Sequence, residues 1–260
     1  MRITALTENT TEYNLPVEHG LSLYIETEEH TILFDTGQSD IFSKNAESLG
    51  VDLGRVDIVV LSHGHYDHGG GLKTFLSLND KAPVYMSRYA FDEFYNDEKY
   101  IGLDKSLKDS DRVIFTDGVT EISEGLTLYS CNEKDKTLDF GSFGLTMLKD
   151  GKKVPDDFRH EHYLLIEENG RRVLISGCSH KGIINIEEWF KPDVLIGGFH
   201  FFELPIDSRL ESYAKALNKY NTHYYTCHCT GVEQYEYMKK YMDNLDYICT
   251  GKTIEITDKI

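Results

Sequence analysis

Three histidines and an aspartate occur within six residues, directly after an apolar run of strand length at residues 56–61. They are His63, His65, Asp67 and His68. Imidazole and carboxylate groups are ligands that suit zinc, manganese or iron. His63 and His65 are two residues apart, so they project from the same side of an extended segment. Three glycines follow and let the backbone turn tightly against a ligand. The cluster therefore predicts a metal site with these four residues as ligands.

Further histidines follow other predicted strands. His180 comes after a predicted strand at residues 172–175, and His228 directly follows a predicted strand at residues 224–227. A helix is expected after each histidine. Active sites in layered α/β folds gather where strands lead into helices, so both histidines are predicted metal ligands. His200 stands at a comparable strand end, and we expect it to contact the substrate. His160 and His162 fit a structural role or a site role, while His19, His30 and His223 are interpreted as surface or core residues.

Three cysteines lie in the same contexts. A thiolate is a good zinc ligand, but a free cysteine is also a common small core residue. If the strand before His228 continued, Cys227 and Cys229 would share one face and His228 would take the other. We therefore do not expect all three cysteines to bind metal together. Cys178, which lies close to His180, is the best thiol candidate.

Composition limits the kinds of partner. The 260 residues carry a formal net charge of −17, which repels phosphate backbones and argues against a nucleic-acid binder. The net charge does not exclude a small anionic substrate that is held locally by metal and backbone amides. Five irregularly spaced cysteines make no disulfide framework, and no signal peptide or membrane-length apolar run is present. A cytoplasmic protein without a membrane partner is expected, and no oligomeric state is predicted.

Strands and helices alternate in both parts of the chain, which favours two packed sheets with helices outside in one unit, residues 1–260. Residues 131–157 are expected to be mostly loop, and a loop of that length is often a lid. The predicted strands are residues 2–7, 22–27, 30–34, 56–61, 82–86, 113–115, 126–129, 163–167, 172–175, 193–196 and 224–227. The predicted helices are residues 39–49, 72–78, 183–190, 208–220 and 232–242.

The chain resembles the metallo-β-lactamase superfamily over most of its length. The sequence His63-x-His65-x-Asp67-His68 matches the signature motif of that family, and Asp35 matches an early strand-end aspartate that supports the metal-binding loop from behind. Cys178-Ser179-His180 falls where the family supplies another ligand, and His228 matches its last histidine. The resemblance implies an αββα four-layer sandwich and a metal-dependent hydrolase.

One subgroup of the superfamily is more similar still. Its members are often named as the dihydropterin ribofuranosyl-aminobenzene 5′-phosphate synthase, and the resemblance rests on Val154-Pro155-Asp156-Asp157-Phe158, Glu161 and the sequences around His180, His200 and His228. Glu161, like Asp35, is expected to support a ligand from behind. The chain departs from the broader family at two places. Arg159-His160-Glu161-His162 replaces a Gly-His pair, and Cys178 replaces a bridging aspartate.

These features predict a hydrolase with one or two divalent metals, zinc first and manganese or iron as alternatives. A metal makes hydroxide available at neutral pH, and Asp67 is expected to serve as both ligand and general base. Helix N-termini after Gly71, His180 and Thr230 favour a small phosphate ester or related anion. Phe143 of the lid, Phe158 directly after it and His200 are expected to contact this substrate. The alternatives are an iron-dependent oxidoreductase and a non-catalytic metal or ligand sensor on the same fold.

Overall fold

The computed structural model describes residues 1–257, and strands and helices alternate through both halves of this part of the chain. The strands are β1 (Arg2–Thr7), β2 (Ser22–Glu26), β3 (Thr31–Phe34), β4 (Ile58–Val60), β5 (Val84–Ser87), β6 (Phe94–Asn96), β7 (Lys99–Tyr100), β8 (Val113–Thr116), β9 (Val119–Ser123), β10 (Leu126–Tyr129), β11 (Leu145–Lys149), β12 (Lys152–Pro155), β13 (Tyr163–Glu168), β14 (Arg171–Ile175), β15 (Val194–Gly197), β16 (His223–Thr226), β17 (Leu245–Tyr247) and β18 (Thr253–Glu255). The α-helices are α1 (Ile41–Leu49), α2 (Tyr66–Gly69), α3 (Leu72–Leu78), α4 (Ile183–Phe190), α5 (Ser208–Leu217) and α6 (Val232–Met238).

The strands form two seven-stranded sheets and one small sheet. The first large sheet has the order β18-β1-β2-β3-β4-β5-β8, and the second has the order β17-β16-β15-β14-β13-β10-β9. Within them, β3, β4, β5 and β8 run parallel, as do β14, β15, β16 and β17. Parallel neighbours need crossover connections, which explains why helices alternate with strands in both halves.

The main core lies between the two large sheets. In β3 the side chains of Ile32 and Phe34 face the second sheet, while Leu33 faces the helices on the opposite side. In β14 the inward pair is Val173 and Ile175, which join the same core. This alternation follows the two-residue period of a strand, and both faces are apolar because both are covered.

Helices cover the outer face of each large sheet and complete four layers. Phe42 of α1 and Phe75 of α3 pack on the first sheet. Ile183 of α4, Leu210 of α5 and Met238 of α6 pack on the second. The predicted αββα sandwich is confirmed, and the predicted strands and helices occur with ends that differ by at most four residues, 242 against 238 for α6. No helix within residues 1–257 is long and apolar enough to cross a membrane.

The prediction that residues 131–157 are mostly loop is wrong for the second half of that segment. Strands β11 and β12 pair as a hairpin and join β6 and β7 in the four-stranded sheet β12-β11-β6-β7. The turn is Asp150-Gly151, and both residues have positive φ, 51° and 74°. An Asp-Gly pair with this geometry is typical of a two-residue hairpin turn. This small sheet lies against the strand ends that carry the candidate site, through Phe94, Met147 and Phe158.

Candidate metal centre and substrate cavity

The candidate residues meet at one edge of the sandwich. Asp35 follows β3, and the motif that begins at His63 follows β4 in the first sheet. His180, His200 and His228 follow β14, β15 and β16 in the second sheet. Because the carboxyl ends of parallel neighbours share an edge, residues far apart in sequence come together there. Gly71 is required for close packing, since a Cβ there would lie 2.2 Å from the Thr36 carbonyl oxygen.

The first donor group consists of three buried imidazoles. One ring nitrogen from each of His63, His65 and His180 lies within 4.8 Å of the other two. The Nε2 atom of each ring is buried and has no hydrogen-bond partner among the described residues. Buried polar atoms are normally paired, so three unpaired nitrogens at one point need an explanation. Three histidines that converge in this way fit a zinc-type metal.

The second donor group lies beside the first. His68 Nε2 is 3.2 Å from His228 Nε2 and 3.1 Å from Cys178 Sγ. The Asp67 carboxylate oxygen Oδ2 is 3.4 Å from His228 Nε2 and 3.7 Å from His68 Nε2. The structure thus brings Asp67, His68, His228 and Cys178 together as predicted. A second divalent ion fits this mixture of nitrogen, oxygen and sulfur donors.

Two carboxylates support these imidazoles from behind. Asp35 Oδ2 lies 2.7 Å from His68 Nδ1, and the same carboxylate accepts hydrogen bonds from the backbone N–H and the hydroxyl of Ser62. Glu161 Oε1 lies 3.0 Å from His180 Nδ1. These are the positions that were predicted for Asp35 and Glu161. Such partners fix the ring orientation, so that the opposite nitrogen faces the metal.

The charges around the two donor groups favour a bound cation. Burial and then the neighbouring histidines lower the pKa of His63, and burial likewise lowers the pKa of His180 to about 3. Both rings are therefore neutral, which is the form of histidine that binds metal. Burial acts against the charged form of His68, but Asp35 and Asp67 outweigh it and raise the pKa of His68 to about 9. A place that stabilises an imidazolium also stabilises a metal ion.

The structure corrects the expected arrangement of the cysteines. Strand β16 ends at Thr226, and a 3-10 helix at His228–Thr230 follows it. The turn leaves Cys227 in the core between the sheets and brings Cys229 to the site, where its thiol contacts the Cys178 carbonyl oxygen at 3.6 Å. Cys227 and Cys229 therefore do not share a face. The condition for that arrangement, a strand that continues past Thr226, is not met, and Cys227 lies apart from Cys178 and Cys229.

Four residues of the site were not identified from the sequence. His19, interpreted as surface or core, has Nε2 3.3 Å from Asp67 Oδ2. Asn9 Oδ1 is 2.8 Å from His228 Nδ1, and Glu8 accepts the His228 backbone N–H. Asp156 Oδ2 is 3.8 Å from His65 Nε2 and 3.1 Å from His160 Nε2. The signal available for Asp156 was its place in the subgroup motif.

His160 and His162, whose roles the sequence left open, are buried in structural positions. His160 Nδ1 accepts a hydrogen bond from the Gly64 backbone N–H, and Nε2 bonds to Asp156. His162 Nδ1 lies 3.3 Å from the Thr116 hydroxyl. His160 therefore links the motif loop, through Gly64, to Asp156.

A cavity opens over the two donor groups, with a volume of about 140 Å³. Phe143 and His200 line it, as expected for substrate-contacting residues, and their rings are 4.3 Å apart. Phe158 differs from the expectation. It is fully buried and stacks on the His180 ring at 4.4 Å, so it supports a ligand and does not line the cavity. The remaining lining residues are His19, His65, Tyr66, Asp67, Asn96, Lys99, Ile101, Leu145, Cys178, His180, Phe202, Glu203, His228 and Cys229.

Two backbone N–H groups of the turn that precedes α4 are already occupied. The backbone N–H groups of His180 and Lys181 donate to the Glu161 carboxylate.

Strained backbone also marks this edge, because Asp35, His200 and His228 have φ of 60°, 53° and 49°. Left-handed φ in such residues costs about 1–3 kcal/mol and is concentrated at functional sites.

Comparison with known proteins agrees with this geometry. A model of the metallo-beta-lactamase superfamily matches residues 15–221. An uncharacterized protein of Methanocaldococcus jannaschii is 30% identical over 98% of this chain and 100% of its own length. The 7,8-dihydropterin-6-methyl-4-(beta-D-ribofuranosyl)-aminobenzene-5′-phosphate synthase of the same organism is 28% identical over 98% of this chain and 96% of its own.

The crystal structure of Tm1679, a metal-dependent hydrolase of the beta-lactamase superfamily, is also similar. It superposes with a TM-score of 0.83 at 31% identity, covering 99% of this chain and 100% of that one. The family model ends before β16 and His228, whereas the structural match covers nearly the whole chain. The chain belongs to the metallo-β-lactamase superfamily, whose members are mostly metal-dependent hydrolases that bind divalent metals.

Proposed function

We propose that this protein is a metal-dependent hydrolase that cleaves a small anionic ester, with a phosphate ester as the preferred class. One observation carries the proposal. The buried Nε2 atoms of His63, His65 and His180 have no hydrogen-bond partner within residues 1–257, and they lie beside a second group of donors under one open cavity. Metal ligands that open on a substrate-sized cavity are typical of a catalytic centre.

Each residue has a defined task in this proposal. His63, His65 and His180 would hold one metal, while Asp67, His68 and His228 would hold a second with Cys178. A divalent metal at this place would lower the pKa of water to about 7 and stabilise charge on the reacting oxygen atoms. Asp67 would orient the attacking water through its carboxylate and accept its proton. The charge of His68 and the hydrogen bond from His19 oppose the effect of burial and keep the pKa of Asp67 well below its usual range.

The donor set favours zinc over the alternatives. Histidine nitrogens, one aspartate and a thiol are ligands that zinc binds well, whereas magnesium and manganese prefer oxygen. Manganese and iron are the alternatives, and metal analysis of the purified protein distinguishes them from zinc. A thiol within 3.1 Å of His68 Nε2 supports the softer ion at the second position.

Support for a phosphate ester comes from charge and from a relative. Loaded with metal, the two positions would present positive charge at the base of a cavity in a chain whose formal net charge is −17. Positive charge in the cavity with negative charge over the rest of the surface favours a small anion and disfavours a long polyanion such as nucleic acid. The name of the 28% identical synthase contains a 5′-phosphate, which fits the same substrate class.

The test combines metal analysis with turnover. Metal-loaded protein is expected to contain at least one divalent ion per chain and to hydrolyse bis(4-nitrophenyl) phosphate. Alanine at His63 and His65 should abolish turnover and remove the metal of the first donor group, whereas His223→Ala should retain both, because His223 pairs with Asp246 away from the site. Bound iron with oxidase activity would identify an oxidoreductase instead. Bound metal without turnover of this diester or of a thioester would identify a sensor.

A further inference from the structure

Lys99 occupies a distinctive place at the mouth of the cavity. It is the one lysine or arginine among the described residues that line this cavity. Its ammonium donates to the Tyr66 hydroxyl at 2.9 Å and lies 4.5 Å from the centre of the Tyr66 ring. Tyr66 stands between His65 and Asp67 in the metal motif. The ammonium is therefore fixed beside the metal-binding loop.

The hairpin that carries Lys99 is anchored to the same loop. The Tyr66 backbone N–H donates to the Ile101 carbonyl oxygen at 2.8 Å, and His65 forms a bridge with Gly102. Lys99 pairs with Asn96 across the hairpin, and both residues line the cavity. This anchoring keeps the lysine at a constant distance from the metal ligands, as a substrate-positioning group requires.

No carboxylate within residues 1–257 forms an ion pair with Lys99, although the chain has 44 acidic residues. Neighbouring lysines differ in this respect. Lys153 of the same small sheet pairs with Glu98 at 2.9 Å, and Lys105 pairs with Glu93. An ammonium held in place by a tyrosine and left without a carboxylate is ready to bind an anion.

We infer that Lys99 binds a second anionic group of the substrate, away from the ester that is cleaved. The inference rests on the proposed function, because it takes the metal positions as the site of the reacting ester. The donor groups form the base of the cavity, while Lys99 lies at its mouth with Tyr66. Phe143 and Phe202 contact His200, line the same cavity and offer ring surfaces to the rest of the substrate. The substrate class is then a small aryl or similarly flat phosphate ester with a carboxylate or second phosphate.

A matched pair of ligands tests this assignment. 4-Carboxyphenylphosphonate and 4-carbamoylphenylphosphonate have the same shape, and they differ in charge only at the end remote from the phosphonate. Calorimetry with the metal-loaded wild-type protein should show about tenfold tighter binding of the carboxylate, the size of effect expected for one charge-assisted contact. In Lys99→Gln the two dissociation constants should agree within about twofold. Lys99→Arg should keep the wild-type preference.

Lys152→Gln is the control, since it removes the same charge from an exposed residue of the same sheet outside the cavity and should bind both ligands as the wild type does. The inference is overturned if Lys99→Gln keeps the preference, if the wild type has none, or if neither phosphonate binds. Turnover of bis(4-nitrophenyl) phosphate by the wild-type protein is measured separately. Its absence would reject the proposed hydrolase, while the phosphonate preference would still decide the role of Lys99.

Discussion

Asp35 and His68 form a buried pair in which the carboxylate contacts the side of the ring that faces away from the candidate metal. Asp35 Oδ2 is 2.7 Å from His68 Nδ1, while His68 Nε2 faces His228 and Cys178. Neither member of the pair is exposed to solvent. The aspartate, which precedes the motif by about thirty residues, therefore sets the orientation of a ligand of the second metal position.

Replacement of Asp35 tests this relationship. Asp35→Asn should weaken metal binding by about 10–100-fold, because the amide cannot supply the negative charge that His68 and Ser62 now share. Competition with a chelator of known affinity measures the change. Asp117→Asn, at a surface residue that pairs with Arg88, is the control and should bind metal as the wild type does. Equal affinity in the two variants would show that Asp35 does not support the site.

The two thiols of the site should differ in importance. Cys178 Sγ lies 3.1 Å from His68 Nε2, whereas the Cys229 thiol contacts the Cys178 carbonyl oxygen. Cys178→Ser should therefore lower zinc affinity about tenfold or more, and Cys229→Ser should lower it less. Zinc titration of both variants gives the comparison. The opposite order would assign the ligand position to Cys229.

Phe143 should affect turnover without affecting metal content. Its φ is 53°, a left-handed conformation that glycine adopts without strain, so Phe143→Gly removes the ring at little cost in stability. We expect turnover of bis(4-nitrophenyl) phosphate to fall about tenfold, because the ring restricts solvent over the metals and packs on His200. Bound metal and melting temperature should stay near wild-type values. Unchanged turnover would reject a lid role for residues around Phe143.

Glu187 should make stability depend on pH. The side chain is fully buried in α4, accepts a hydrogen bond from Thr222 at 2.7 Å, and has an Oε2 atom without a partner. Burial raises its pKa from 4.5 to about 7, so the folded state favours the neutral acid. The resulting stabilisation is complete below pH 4.5 and is lost as pH rises through about 7. The unfolding free energy of the wild type relative to Glu187→Gln should fall by about 3 kcal/mol over that range. Parallel pH profiles would contradict the buried ionisation.

The sequence predicted the layers and most of the candidate ligands that the structure brings together, because both depend on local patterns. The apolar run before His63 reads as a buried strand, and the motif after it has the spacing of a metal loop. The hairpin of β11 and β12 was missed because its Asp150-Gly151 turn lies in a segment with mixed polarity. Strand periodicity alone was too weak there to distinguish strand from loop.

The supporting residues near the amino terminus could not be found from local patterns. Glu8 and Asn9 contact His228, which is 220 and 219 residues away along the chain. Such pairs depend on how β1 and β16 are placed in different sheets. No spacing rule predicts them. His19 was misplaced for the same reason, since its link to Asp67 exists only after the two loops pack together.

The central claim is that His63, His65 and His180 hold a divalent metal. Crystals of the metal-loaded protein, measured on both sides of the zinc absorption edge, test it most directly. We predict an anomalous peak about 2.0–2.1 Å from the Nε2 atoms of all three histidines. A second peak is predicted among Asp67, His68 and His228 when the site is fully loaded. A metal-replete crystal without a peak at the three histidines would contradict the account.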